Sequence, residues 1–171
     1  MFTLNSIVAM TENRTIAING IIPFRYKQDL QRFKQLTINK TVVMGYKTYL
    51  SIGKYLPNRT NFVLSRTVTE IPGCTVFKDA PTMISNFSGD IWNIGGGEIY
   101  RLLLPYTQGI SITYVPDKIQ NNSTEILFPE LDDNWSLISE VKDPIPDTDE
   151  SLRHCYYNNR LLSSVLAHTN H

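Results

Sequence analysis

TVVMGYKTYLSIGKYLPNRTNFVLSR, residues 41–66, sets a strand, a helix and a second strand in a row. TVVMG (41–45) and NFVLS (61–65) are largely apolar at successive positions instead of alternate ones. Strands of that kind are covered on both faces, the condition met in a parallel sheet with helices on either side. YKTYLSIG (46–53) between them reads as a helix. The alternation continues outward in both directions. Upstream, LNSIVAM (4–10) reads as a strand and KQDLQRFKQLT (27–37) as a helix. Downstream come strands at CTVF (74–77), IWNIG (91–95) and ISITYV (110–115), with helices at DAPTMISNF (79–87) and EIYRLLLP (98–105). The expected fold class is therefore α/β, with a mainly parallel central sheet flanked by helices. After Pro116 the pattern changes. WSLISEVK (135–142) and LRHCYYN (152–158) read as strands around the acidic DPIPDTDE (143–150), which predicts an antiparallel C-terminal strand pair at one sheet edge. The last strand, HCYYNNRLL, is more polar than a buried strand needs, so irregular pairing is expected there. With no repeat, low-complexity tract or linker, residues 1–171 are expected to form a single domain, with 161–171 as a short helix or a frayed tail.

A length of 171 residues, 42% hydrophobic and 19% charged, suits one domain with a sizeable core and excludes a disordered chain. Sixteen basic and sixteen acidic residues cancel, which argues against a general nucleic-acid binder. That balance hides an asymmetry. Through Arg66 there are ten basic side chains and two acidic ones, Glu12 and Asp29, so the first 66 residues carry a surplus of eight positive charges. The remaining 105 residues carry the opposite surplus, six basic against fourteen acidic. A basic first third suggests that an anion binds at one end. No stretch approaches the roughly 18 apolar residues of a membrane span, so no membrane partner is expected. MFTLNSIVAMTENR lacks the features of a secretory signal, and Cys74 and Cys155 read as buried, unpaired thiols. The expected location is the cytoplasm.

Three strand-to-helix turns are candidates for holding a ligand. Gly95, Gly96 and Gly97 follow IWNI and precede a helix, where bare backbone and helix N–H groups suit a phosphate. Gly45, Lys47 and Thr48 stand at the turn after TVVM, and Ser65 with Arg66 at the end of NFVL offers a hydroxyl beside a guanidinium. Each turn taken alone also reads as an ordinary βα connection. Together they mark the C-terminal ends of strands, where open α/β sheets bind ligands. The spacing is neither GxGxxG nor GxxxxGK[ST], so the usual dinucleotide and P-loop patterns are missing. Asp29 borders the apolar stripe of Leu30, Phe33 and Leu36 and has no acidic neighbour from residue 13 through 69. It reads either as a first-turn acid favouring the helix dipole or as a buried carboxylate whose pKa is raised and which binds a cationic heterocycle. Arg59, just before a strand, could grip a carboxylate or simply face solvent. There is no HExxH, CxxC, GxSxG or paired-carboxylate pattern, so no metal is expected and the chemistry is assigned to an organic cofactor or the substrate.

Taken in order, SIVAM, IIPF, DLQRFK, VVMGYKTYLSIG, LPNRTNFVLSR, IGGGEIYRLLLP, ITYV and LFP resemble dihydrofolate reductase, in register from about residue 4 to Pro129. The resemblance implies a dihydrofolate reductase-like fold, a monomer, and NADPH-dependent reduction of 7,8-dihydrofolate to tetrahydrofolate for one-carbon metabolism and thymidylate synthesis. Hydride would pass from nicotinamide C4 to pterin C6, with a proton added at N5. Asp29 matches the family's pterin-binding carboxylate and Thr113 the threonine that orients it. Ala9, Leu30, Phe33, Ile52 and Leu56 match the pterin and benzoyl pocket, and Arg59 the clamp on the glutamate α-carboxylate. Ala9, Ile16, Ile94 and Tyr100 match positions around the nicotinamide. Gly45, Tyr46, Lys47, Thr48, Gly96, Gly97, Glu98 and Ile99 fall on the pyrophosphate-facing turns, and Leu64, Ser65 and Arg66 on the adenosine 2′-phosphate site. Segment 11–26 resembles the mobile loop that closes over the nicotinamide. Phe24 stands at a catalytic-loop position where many members carry Trp, Ala17 where Gly is frequent, and Tyr46 where Arg is frequent in bacterial forms. Dihydrofolate and antifolate-like small molecules are the implied partners. A phosphoribosylaminopyrimidine reductase and an inactive binding descendant are the competing readings. Asp29 and Phe33 with LPNR favour folate over the first, and retention of Asp29, Thr113, Arg59 and the cofactor turns argues against the second.

Overall fold

The computed structural model describes residues 1–119 and 124–162. Val42, Val43, Met44 and Val63 are completely buried although neighbours in a strand point to opposite faces, which is why these strands are apolar without alternation. The elements follow as β1 (Phe2–Met10), β2 (Thr15–Ile18), α1 (Lys27–Thr37), β3 (Thr41–Gly45), α2 (Tyr46–Ile52), β4 (Thr60–Leu64), β5 (Cys74–Phe77), α3 (Ala80–Ser85), β6 (Gly89–Asn93), α4 (Gly97–Leu103), β7 (Gly109–Tyr114), β8 (Glu125–Leu127), β9 (Trp135–Pro144) and β10 (Ser151–Asn159). Eight strands form one sheet in the order β5-β4-β3-β6-β1-β7-β10-β9. The six from β5 to β7 are parallel; β10 runs antiparallel to β7, and β9 antiparallel to β10. The expected α/β sheet with an antiparallel C-terminal pair at one edge is the one observed.

Leu4, Val43, Phe77, Met83, Phe87, Ile91, Ile99 and Leu103 pack together on one face of the sheet, the side of α3 and α4. Val42, Met44, Val63, Ile71 and Trp92 pack on the other, where Leu36 of α1 and Tyr46 and Tyr49 of α2 lie against them. Each such side chain contributes about 1.5–3 kcal/mol when fully removed from water. Element ends depart from the sequence reading where local chemistry decides them. Asp79 precedes α3 instead of joining it, because its carboxylate accepts the Thr82 N–H at 2.8 Å and caps the helix. The helix expected over 98–105 ends at Leu103 and passes into a 3-10 turn, Leu104–Tyr106, where Pro105 has no N–H to continue it.

The larger correction falls on segment 11–26, expected as a loop. Its residues Thr15–Ile18 form β2, which pairs antiparallel with β8 in a separate two-stranded ribbon. Ile16 and Ala17 are buried with Tyr100, Ile112 and Phe128, so this half of the segment is anchored to the core. Beyond it, Ile21 and Ile22 are exposed. In β10 the expected irregularity is present as a register shift at Tyr156/Tyr157. The strand's polar side chains are also accounted for: the Tyr156 hydroxyl donates to Asn5 Oδ1 at 3.0 Å and Asn159 Nδ2 to the Thr107 carbonyl at 3.2 Å. Cys74 and Cys155 are free thiols, as expected, but only Cys155 is buried; Cys74 begins the edge strand β5 and is half-buried. Among the described residues no helix is long and apolar enough to cross a membrane. The expected tail, 161–171, lies outside the described residues from 163 onward.

Candidate active site

Ala9 of β1, Thr113 of β7 and His154 of β10 are cross-strand partners in a single row of the sheet. The first turn of α1 brings Asp29 to this row. Thr113 Oγ1 donates to Asp29 Oδ1 at 2.6 Å and lies 2.9 Å from His154 Nδ1 on its other side. His154 Nε2 is in turn 2.9 Å from Asp143 Oδ2. Burial pushes the Asp29 carboxyl above its ordinary value, with Asp143 adding to the rise. The Thr113 hydroxyl, His154 and Arg32 pull in the opposite direction without cancelling it. Arg32 lies one turn further along α1, and its Nη2 donates to Ser111 Oγ at 3.2 Å. Phe24 packs with Val115 and Leu152, with Ala9 and Tyr26 against them. It therefore carries no polar atom to this floor; its part is to fill it.

Leu30 and Ile52 are among the exposed large hydrophobics, at 47% and 37%, so both present apolar surface to solvent. Phe33 lies under the Arg59 guanidinium, 6.0 Å from ring centroid to Cζ. Arg59 is held on α1 by Thr37, whose hydroxyl accepts from Nη1 at 3.0 Å, and its Nε donates to the Pro57 carbonyl at 3.0 Å. Asn61, almost fully buried, organises the loop that presents this arginine. It accepts the Leu56 N–H at 2.9 Å and donates from Nδ2 to the carbonyls of Leu56 and Arg59 at 2.9 and 3.0 Å.

The two glycine turns are stitched to each other. The Gly45 N–H donates to the Gly95 carbonyl at 2.8 Å, and the Ile94 N–H to the Val43 carbonyl at 2.9 Å. Both turns need glycine: a Cβ on Gly45 would stand 2.9 Å from Ile99 Cγ1, and one on Gly95, whose φ is +94°, 2.5 Å from the Tyr100 ring. The Gly95–Gly96 peptide is cis. Buried Asn93 braces the turn, accepting the Gly95 N–H at 3.0 Å and donating to the Ile99 carbonyl at 3.2 Å. At Gly96 a Cβ would meet only Thr48 Oγ1, at 3.5 Å, so backbone is open to close approach there. Glu98, Lys47 and Arg66 are exposed, and Tyr46, which stacks on Tyr49, is half-buried.

Several side chains read as cofactor contacts have prior engagements. Ile99 points into the core, which leaves its main chain as the part that can face a ligand. Leu64 packs against that core as well. The Tyr100 hydroxyl donates to the Ile7 carbonyl at 2.6 Å, and burial beside the negative charge of Asp29 pushes its titration far up. Buried Ser65 accepts the N–H groups of Thr67 and Val68 at 3.3 and 3.1 Å and lies 3.4 Å from the Thr67 hydroxyl, so it is engaged within its own turn. Ile16 is buried in the cluster that contains Tyr100, and Gly97 lies beneath Ile126 of β8.

The structure thus gathers two groups: Asp29, Thr113 and Ala9 at one strand row, and the glycine turns with Lys47, Thr48, Ser65 and Arg66 at the C-terminal ends of β3, β4 and β6. His154, Asp143, Asn61, Asn93 and Arg32 were missed by the sequence reading. Only the polarity of the last strand and the asparagine opening NFVLS hinted at two of them. A parallel sheet with bare turns and a threonine-held carboxylate along its C-terminal edge is an α/β scaffold suited to a small molecule with anionic groups. The family model for dihydrofolate reductase matches residues 3–160. The dihydrofolate reductase of Mycobacterium leprae is 38% identical over 141 residues, 79% of this chain and 86% of that one. The Haemophilus influenzae enzyme of the same name is 36% identical over 155 residues, 89% of this chain and 93% of its own. A solved dihydrofolate reductase from Enterococcus faecalis, in complex with NADP(H) and RAB-propyl, superposes with a TM-score of 0.82 at 24% identity, covering 91% of this chain and 95% of that one. The chain belongs to the dihydrofolate reductase family.

Proposed function

We propose that this chain reduces 7,8-dihydrofolate to 5,6,7,8-tetrahydrofolate with NADPH, and that the Asp29–Thr113 pair is its substrate anchor. The observation that carries this is the half-buried Asp29 carboxylate, fixed by Thr113 at 2.6 Å and raised in pKa by burial. It suits a planar N–H/NH₂ donor pair such as pterin N3 and the 2-amino group. Leu30, Phe33, Ile52 and Leu56 offer apolar surface to the pterin and benzoyl rings. Arg59, already oriented by Thr37, meets the glutamate α-carboxylate. The open backbone at Gly96, the exposed Lys47 and Arg66 and the hydroxyls of Thr48 and Ser65 fit a phosphorylated dinucleotide. Arg66 beside Ser65 favours the 2′-phosphorylated form. Bound NADPH supplies the hydride, from nicotinamide C4 to pterin C6. Asp29 at N3 cannot touch N5, so it promotes protonation there at a distance, through its charge and proton. Free Cys74 and Cys155 accord with a protein working in the reducing cytoplasm. NADPH consumption with dihydrofolate tests the reading. Wild-type protein should turn over, and Asp29→Asn should lower kcat by about 10²-fold or more. No turnover in the wild type would overturn the activity, and unchanged turnover in the variant would remove Asp29 from it.

A further inference from the structure

Beyond the proposed substrate anchor, and resting on it, lies a hydrogen-bonded chain that runs from Asp29 through Thr113 and His154 to Asp143. We propose that His154 is a positioning residue that shares one proton with Asp29 through the Thr113 hydroxyl, so that the site carboxylate is loaded and unloaded from inside the protein.

Counting hydrogens along the chain leads to this. A threonine hydroxyl has one proton to give. When Thr113 donates it to Asp29 Oδ1, its oxygen can only accept from His154, so Nδ1 must carry a proton. Nε2 faces the carboxylate of Asp143 at 2.9 Å and carries one too, which makes the ring an imidazolium between two acceptors. The opposite arrangement uses the same heavy-atom positions. Asp29, protonated, donates to Thr113 Oγ1; the hydroxyl turns its proton to Nδ1; and a neutral His154 keeps its Nε2 proton on Asp143. The two arrangements contain equal numbers of protons and equal net charge. Converting the first into the second moves one proton from Nδ1 to the Thr113 oxygen as the threonine's own proton passes to Asp29. No bond between heavy atoms forms or breaks.

A state with both Asp29 and His154 protonated leaves two donors aimed at one hydroxyl oxygen and the hydroxyl proton without an acceptor in the chain. The pair therefore favours holding one proton, and its titration belongs to the pair. The charged and titratable groups facing it are Arg32 of α1, which favours the ionised Asp29, Asp143 of β9, which opposes it and accepts at His154 Nε2, and Tyr100 of α4, held neutral by burial. Val141, the cross-strand partner of His154, is apolar. His154 is only 7% exposed while the Asp143 side chain is 33% exposed, so the far end of the chain reaches solvent where the near end meets substrate.

The test is an NMR titration of the ligand-free protein, following the Asp29 carboxyl carbon and the ring nitrogens of His154. The expected result is that both signals report the same two inflections. In Thr113→Val, which keeps the shape and removes the hydroxyl, each should collapse to a single inflection of its own. In His154→Gln the Asp29 midpoint should move upward, because the cationic ring that favours its ionised form is gone. The pH profile of kcat should move with it, while KM for dihydrofolate stays within about twofold. Independent single inflections in the wild type, or an Asp29 midpoint unmoved by His154→Gln, would overturn the proposal. Because the titration needs neither substrate nor cofactor, its failure is distinguishable from a failure of the reductase reading.

Discussion

Asp29 feels burial and hydrogen bonding in opposite senses, and burial prevails. The folded protein therefore binds the Asp29 proton more tightly than the unfolded chain does. Its contribution to stability is fully present below the ordinary carboxylate pKa and is lost as pH rises through the raised folded value. Asparagine is neutral throughout and still accepts the Thr113 proton. Asp29→Asn should thus raise Tm relative to the wild type, by more at about pH 8 than at about pH 5. Melts at the two pH values check this, and an equal difference at both would contradict it. The gain in stability would accompany the loss of turnover, the trade expected where a charge is held for function in a costly place. Asp29 was legible in the sequence because it is the one acid in a basic, apolar neighbourhood. Asp143 and His154 were not. The strand pair itself was expected, but Asp143 fell in the connection after its first strand; β9 runs on to Pro144, and only that length and register set Asp143 beside His154.

At the scale of elements, β4 and the loop before it show how a buried polar residue positions a half-buried one. Asn61 stands in β4 beside Phe62, Val63 and Leu64, which serve the core, yet it ties down the Leu56 N–H and two carbonyls of the 56–59 loop. Asn61→Ala leaves those groups without their partner, at about 1–3 kcal/mol of stability. Arg59 then loses its fixed approach. KM for dihydrofolate should rise by about tenfold with kcat within about twofold, the pattern of lost ground-state binding. A pterin substrate lacking the glutamate α-carboxylate should show no such rise in KM; an equal rise for both would place the role of Asn61 elsewhere. The long elements were legible because their apolar runs and turn glycines act locally. The β2–β8 ribbon was not, since four residues and three residues carry little periodicity and pair across more than a hundred positions. What holds them is Ile16 and Ala17 in the core and the Thr15 hydroxyl on Glu125.

Across the whole molecule, the strand order converts an asymmetry of sequence into one of space. The first 66 residues, with ten basic and two acidic side chains, contain α1, α2, β3 and β4. β3 and β4 lie toward one edge of the sheet, and β9 and β10, from the acidic remainder, form the other. Lys47 and Arg66 place positive charge at the C-terminal ends of β3 and β4, and Arg59 places it just before β4 begins, each where a proposed anionic group sits. Of the three, Arg66 bears most directly on cofactor choice. It stands exposed at the end of β4 next to Ser65, whose hydroxyl is engaged within its own turn by Thr67 and Val68, which leaves the guanidinium to meet a phosphate. A guanidinium–phosphate contact is charge-assisted and contributes about 1.5–3 kcal/mol. Arg66→Ala should therefore raise the Kd for NADPH by about 10- to 100-fold while leaving that for NADH within about twofold. The same substitution should flatten the rise of the NADPH Kd with added salt, because one of the screened charges is gone. Fluorescence titration of each cofactor at two salt concentrations measures both effects. Equal losses for NADPH and NADH would show that Arg66 supports the fold of the turn and does not read the 2′-phosphate.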